Sequence, residues 1–155
     1  METSRYLEEL DRPAKVQTQF SHVLASWGTI SSLAGAGLFA VGQGGGRTFM
    51  RGLGLQMAGW GVANVLIAAL GLKDAAGARP VQGPARRRRL VRLLNVNIGL
   101  DTLYLVTAGL LFLIGRSRRD DKAAGGLFGH ALGVATQGAF LLGFDRAFRK
   151  ALGRA

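Results

Sequence analysis

The sequence predicts an all-α membrane protein, a bundle of four transmembrane helices. Three observations predict it. The 155-residue chain holds four long tracts almost free of charge, its Lys and Arg gather between those tracts, and what is left over is too short for a second domain. About 20 apolar residues cross roughly 30 Å of hydrocarbon as a helix, so four crossings use most of the chain. Residues 1–20 read as a cytoplasmic N-terminal tail, 21–148 as the transmembrane domain and 149–155 as a cytoplasmic C-terminal tail.

In chain order, the tail comes first. Glu2, Glu8, Glu9 and Asp11 are the wrong chemistry for the basic start of a secretory signal, so the first apolar tract is expected to stay. Pro13 is expected to break any helix begun by Tyr6, Leu7 and Leu10 and to leave this segment at the interface. The first span centres on residues 23–41 and is rich in Gly, Ala and Ser, which favours contact with other helices over lipid. The second runs from about Gly52 to Leu72 and closes at Lys73 and Asp74. Residues Gly77 to Pro84 read as a loop. The third span follows the run Arg86 to Arg89 and Arg92, covers Leu93 to Gly115 and contains one charge, Asp101. The fourth runs from Ala123 to Phe144 and stops at Asp145, Arg146, Arg149 and Lys150.

Fourteen Lys and Arg fall in the two tails and the central loop, against six in the other two loops. The positive-inside bias therefore places both termini in the cytoplasm of a multi-pass protein of the cell membrane. The net charge of +11 flanks apolar spans, where topogenesis and anionic lipid account for it, and no groove-reading motif points to nucleic acid. Arg86, Arg87, Arg88 and Arg89 read either as an anionic-lipid headgroup site or as a topogenic anchor, and the anchor needs nothing further. With no cysteine there is no disulfide, no thiolate metal site and no cysteine nucleophile.

A shift of 72 positions brings Ala36-Gly37-Leu38 onto Ala108-Gly109-Leu110, Gly54 onto Gly126, and Gly61-Val62-Ala63 onto Gly133-Val134-Ala135. Two parallel helix-pair repeats would explain it, and so would coincidence in a composition rich in Gly, Ala and Leu. Gly125, Gly129 and Gly133 make two successive G-x-x-x-G steps, a strong signal for close helix packing whose partner is either this chain or a second copy.

Polar groups within the tracts supply the candidate site. At 1.5 Å per residue, Asn64, Asp101 and Gln137 reach one depth, with Thr29 and Ser31 near it, so a polar layer is expected across the bundle. Asn97, Asp101 and Tyr104 share one helical stripe, and Gln56, Trp60 and Asn64 another. An unpaired carboxylate in lipid costs several kcal/mol, so Asp101 is expected to face the interior and hydrogen-bond at least one of Asn64, Asn97 and Gln137. It reads either as a proton-accepting or cation-binding carboxylate with Asn64, Asn97, Tyr104 and Gln137 as its shell or as a structural group, while the amides read first as fixing helix register. His130 has no second histidine or carboxylate at its level, so neither a metal nor a cofactor is expected.

The segments Gly59 to Asn64 (GWGVAN), Leu93 to Leu111 (LLNVNIGLDTLYLVTAGLL) and Gln137 to Asp145 (QGAFLLGFD) resemble an uncharacterised family of small bacterial four-helix membrane proteins, over roughly residues 50 to 147. The resemblance implies that Trp60, Asn64, Asn95, Asp101, Tyr104, Gln137 and Asp145 are the marked positions. It implies no activity. No nucleophile–base set, P-loop or dinucleotide fingerprint is present, so the chain reads as a non-enzymatic membrane protein, binding a small ligand or a partner through its polar layer. A small proton-coupled carrier is the second reading, and a membrane enzyme acting on a lipid or quinone the third. The lipid bilayer is the expected partner, anionic lipid and a second copy of the chain being further ones.

Overall fold

The computed structural model describes residues 2–79 and 82–153, with side chains from residue 9 onward. Arg154 of the charge count, and Pro80 and Val81 of the expected central loop, lie outside the described residues. Four helices make up the fold: α1 (Glu2–Gln43), α2 (Thr48–Ala76), α3 (Gly83–Ser117) and α4 (Asp121–Gly153). Each is long and apolar enough to cross a membrane. The two ends of the bundle differ in charge. The end holding the N-terminus, the α2–α3 connection and the end of α4 is called the basic end here, and the opposite one the far end.

Two short connections turn the chain at the far end. Between α1 and α2, Gly45 and Gly46 adopt φ of 68° and 73°, the left-handed region that side chains disfavour. Before α4, the Asp120 carboxylate accepts the Lys122 backbone N–H at 2.9 Å, satisfying a donor that has no partner within the helix.

Pro13 does not break the first helix. α1 runs through it without interruption for 42 residues, roughly 60 Å at 1.5 Å per residue. The missing N–H and the crowded ring are tolerated because Pro13 is buried and its neighbours are fixed on both sides. Leu10 abuts Gly83 at the start of α3, and Val16 enters a core with Leu90, Leu94, Phe148 and Leu152. Most of that core lies beyond the apolar tracts read from the sequence, so the basic end carries a small side-chain core of its own. α3 likewise begins ahead of the arginine run, which occupies its first turns.

α1 packs along α2, α3 along α4, and α2 along α4, while α1 meets α3 and α4 less extensively. α2 and α4 run in the same direction and α2 and α3 sit diagonally, linked by the Trp60 and Tyr104 rings at 4.8 Å.

The α1–α2 seam is built from small residues at intervals of seven. Gly28, Gly35 and Gly42 face Gly61, Gly54 and Arg51, and a Cβ on Gly28 would lie 2.7 Å from the Gly61 carbonyl oxygen. Ala68 and Ala75 continue the α2 stripe and are buried. A period of seven holds one face inward along the whole length, and the absence of side chains lets the backbones touch. The α2–α4 seam uses Gly125, Gly129 and Gly133, which lie against Thr48, Phe49 with Leu53, and Gln56. The partner of the G-x-x-x-G steps is therefore α2 of the same chain. In the 72-residue alignment, Gly61 packs on α1 but Gly133 packs on α2, so matched glycines serve different interfaces.

Candidate functional site: a polar layer across the bundle

At mid-depth, α1, α2 and α4 bring Ser31, Asn64 and Gln137 together, the largest fully buried side chains in the described chain. Gln137 is the hub. Its Oε1 accepts from Trp27 Nε1 at 2.9 Å and from Asn64 Nδ2 at 3.3 Å, and its Nε2 donates to Ser31 Oγ at 3.2 Å. The backbone seams on both sides exclude bulk from this level, so these groups have only one another as partners. Thr29, expected to join the layer, is exposed and its hydroxyl bonds the Ala25 carbonyl instead.

The α2 stripe faces α3 and α4 along three turns. Gln56 Nε2 lies 3.2 Å from His130 Nδ1, Trp60 packs edge-on to Tyr104, and Asn64 reaches Gln137. Among the described residues no cluster of His, Asp and Glu could hold a metal.

Asp101 is only 3% exposed, with its backbone against Gly138 of α4. It faces the interior, yet it hydrogen-bonds none of Asn64, Asn97 and Gln137, contrary to the expectation from depth. Its Oδ2 is buried without a partner among the described residues, as are Asn64 Oδ1 and Ser32 Oγ. Equal depth did not suffice because the helices are not at equal distances: Asn64 is drawn to Gln137 across the tight α2–α4 seam, whereas α2 and α3 are diagonal. Asn97 is itself exposed and is drawn to the Asp145 carboxyl on α4. Asp145 is 5% exposed and close enough to Asp101 for the two charges to interact. The structure thus splits the expected layer in two: an amide–hydroxyl–indole set around Gln137, and the buried carboxyls of Asp101 and Asp145 on α3 and α4.

The chain belongs to the family of unknown function DUF6992. That family's profile matches residues 23–146, so it takes in the first span as well as the three segments that carried the resemblance. No curated protein and no solved structure matches the chain. Within this family member the marked residues all lie on facing helices, with Trp60, Tyr104, Asn64 and Gln137 in direct contact across them and Asn95 outside at the basic end, where it accepts from Arg149 Nη1 at 2.9 Å.

Three of the four arginines in the run are engaged by other helices. Arg86 donates to Asp74 Oδ2 and to Gln17 Oε1, each at 2.7 Å, and to the Asp74 backbone oxygen at 2.9 Å. Arg89 reaches Asp74 Oδ2 at 2.6 Å, and Arg87 bonds the Leu152 carbonyl at the end of α4. Arg88 is exposed. Gln17 donates to Asp74 at 3.1 Å and to Gly71, so α1, α2 and α3 meet in one network. The hydrogen bond from Arg89, aided by Gln17 and by both guanidinium charges, holds the Asp74 carboxyl below the usual carboxylate range against its partial burial.

Sequence reading missed three features of the site's surroundings. The seven-residue stripe of α1 and α2 was visible as Gly28, Gly35, Gly42 and Gly54, Gly61, Ala68. The aromatic ladder of Phe140, Phe144 and Phe148, stacked on Trp27 and Phe20, was visible as aromatics spaced by four. The Gln17–Asp74–Arg86 network had no local signal, since its members lie 12 to 69 residues apart.

Proposed function

We propose that the chain is a multi-pass membrane protein, its termini and central connection cytoplasmic, that binds a small hydrogen-bond-donating species at Asp101 without catalysing a reaction. One observation carries this reading: buried acceptors at Asp101 Oδ2 and Asn64 Oδ1 that no donor of the described chain reaches. An ionised carboxylate without a donor in hydrocarbon costs several kcal/mol, so the site calls for a proton on Asp101 or a small cationic donor beside it. The Asp101 backbone lies against Gly138 of α4, and the adjacent Gln137 is already committed to Trp27, Asn64 and Ser31.

Infrared spectroscopy of the protein in lipid nanodiscs tests it. A protonated-carboxyl band at neutral pH that disappears in Asp101→Asn and survives in Asp145→Asn is the expected result. The same band in parent and Asp101→Asn would overturn the reading. In sealed vesicles, dissipation of a pH gradient by the parent but not by Asp101→Asn would replace simple binding with proton carriage. The cytoplasmic placement rests on the arginine distribution. In a Ser117→Cys variant, the thiol should react with a membrane-impermeant reagent on intact cells, and reaction only after lysis would invert the topology.

A further inference from the structure

The basic end carries several clefts, and their charge balance separates them. The cleft between α2 and α3 is lined by Lys73, Arg86 and Arg89 but also by Asp74, which takes both arginines. The cleft at the start of α1 and α3 sets Arg12, Arg87 and Arg88 beside Glu9. A third, of about 590 Å³, opens between α3 and α4 and is lined by Ile98, Arg146, Arg149, Lys150 and Gly153. It presents three cations and no acid. The neighbouring Asp145 is 5% exposed and does not line the cleft.

We propose that this α3–α4 cleft binds the phosphate headgroup of an anionic phospholipid. Arg149 is oriented for it, since Asn95 fixes one of its terminal nitrogens at 2.9 Å and leaves the rest of the guanidinium fork open. Arg146 and Lys150 are exposed and bond nothing among the described residues. The cations stand where the apolar tract of α4 ends at Phe144, the level at which headgroups meet hydrocarbon. Toward the far end, Leu142, Ala139 and Leu132 continue the α4 face that carries Arg146 and Lys150, and Leu132 is 49% exposed. A phosphate held by the cations would have its acyl chain on that apolar face, which a free phosphate would not use. Of the arginines that the sequence offered for this role, Arg86, Arg87 and Arg89 are engaged by Asp74, Gln17 and Leu152, whereas the α4 cluster has no acid beside it in its cleft.

The test is native mass spectrometry of protein from mixed micelles of phosphatidylglycerol and phosphatidylcholine. The parent should retain phosphatidylglycerol selectively. Arg146→Gln with Lys150→Gln should weaken retention about thirtyfold, at about fivefold per cation near the surface. The charge-matched far-end pair Arg118→Gln with Arg119→Gln should leave it unchanged. Asn95→Ala, which frees Arg149 without altering charge, should weaken it by a smaller factor and guards against misfolding of the double variant. Equal loss in both double variants, or loss in neither, would overturn the proposal. So would full competition by glycerol phosphate, which carries the headgroup chemistry without the acyl chain.

Discussion

Toward the far end, α1 and α2 touch backbone to backbone at Gly35 and Gly54, whereas toward the basic end α1 meets its neighbours through Val16 and Phe20. The difference follows the medium each half is suited to. Between helices in hydrocarbon there is no hydrophobic driving force, and affinity comes from close dispersion contact, which glycine allows. Where helices emerge into water, burial of large apolar side chains regains its value, and the cluster of Leu90, Leu94, Phe148 and Leu152 supplies it. One helix, α1, is thus sewn by two kinds of seam.

Substitutions can break each seam separately. The largest effect is expected from Gly35→Val, whose Cβ would strike the Gly54 carbonyl and the Ala58 backbone, neither of which can swing aside. Thermal unfolding in detergent should fall by more than about 3 kcal/mol, the upper range of overpacking, while Gly37→Val, with nothing within 4 Å, stays near the parent. Equal behaviour of the two would mean that α1 and α2 separate freely.

Phe148→Ala opens the other seam and should cost about 3 kcal/mol through lost burial and a cavity. A loss under about 1 kcal/mol would show that the basic-end cluster is not a working core.

In the layer between the halves, Gln137→Leu removes three hydrogen bonds of roughly 0.6 kcal/mol each, those to Trp27, Asn64 and Ser31, so it should lower stability by about 2 kcal/mol. Asp101→Leu should be neutral or stabilising in the same unfolding assay, because no partner of Asp101 is lost. The reverse order of these two variants would mean that Asp101, rather than Gln137, holds the layer together.

The smallest expected effect is on pH dependence at the basic end. The folded-state carboxyl of Asp74 titrates below its ordinary value of 3.8, so its contribution is complete above that pH and is lost as pH falls through the lowered value. The parent should therefore lose stability in strong acid more than Asp74→Asn does, and parallel acid curves would remove Asp74 from the network.

Much of this was written in the residues, and the reason differs from element to element. The four helices were legible because the distance between charges is itself the signal, and Asn64 with Gln137 because depth and face can be counted along a helix. Pro13 misled because its local penalty is overridden by burial against α3 and α4, a tertiary fact. Asp101 was placed at the right depth and on an inward face, yet its partner was misjudged: counting along helices does not tell which pairs are adjacent and which diagonal. Arg86, Arg87 and Arg89 looked available because the residues that claim them, Asp74 and Gln17 and the carbonyl of Leu152, stand on other helices.

The pairing of α1 with α2 and of α3 with α4 divides the fold at the same place as the sequence. Each half of the chain is a closed hairpin, and the halves join along α2 and α4, where Gly52 meets Gly126 and Gly129 meets Phe49, and at the Asp74–Arg86 contact. A gene split between the second and third helices would therefore encode two pieces that each keep their most intimate contacts. Mixed in one membrane, such pieces would recognise each other through bare backbone at the α2–α4 seam and through aromatic rings and the Gln137 amide beside it. Their reassembly would depend on shape, and a single methyl group at Gly129 could set whether the halves remain strangers.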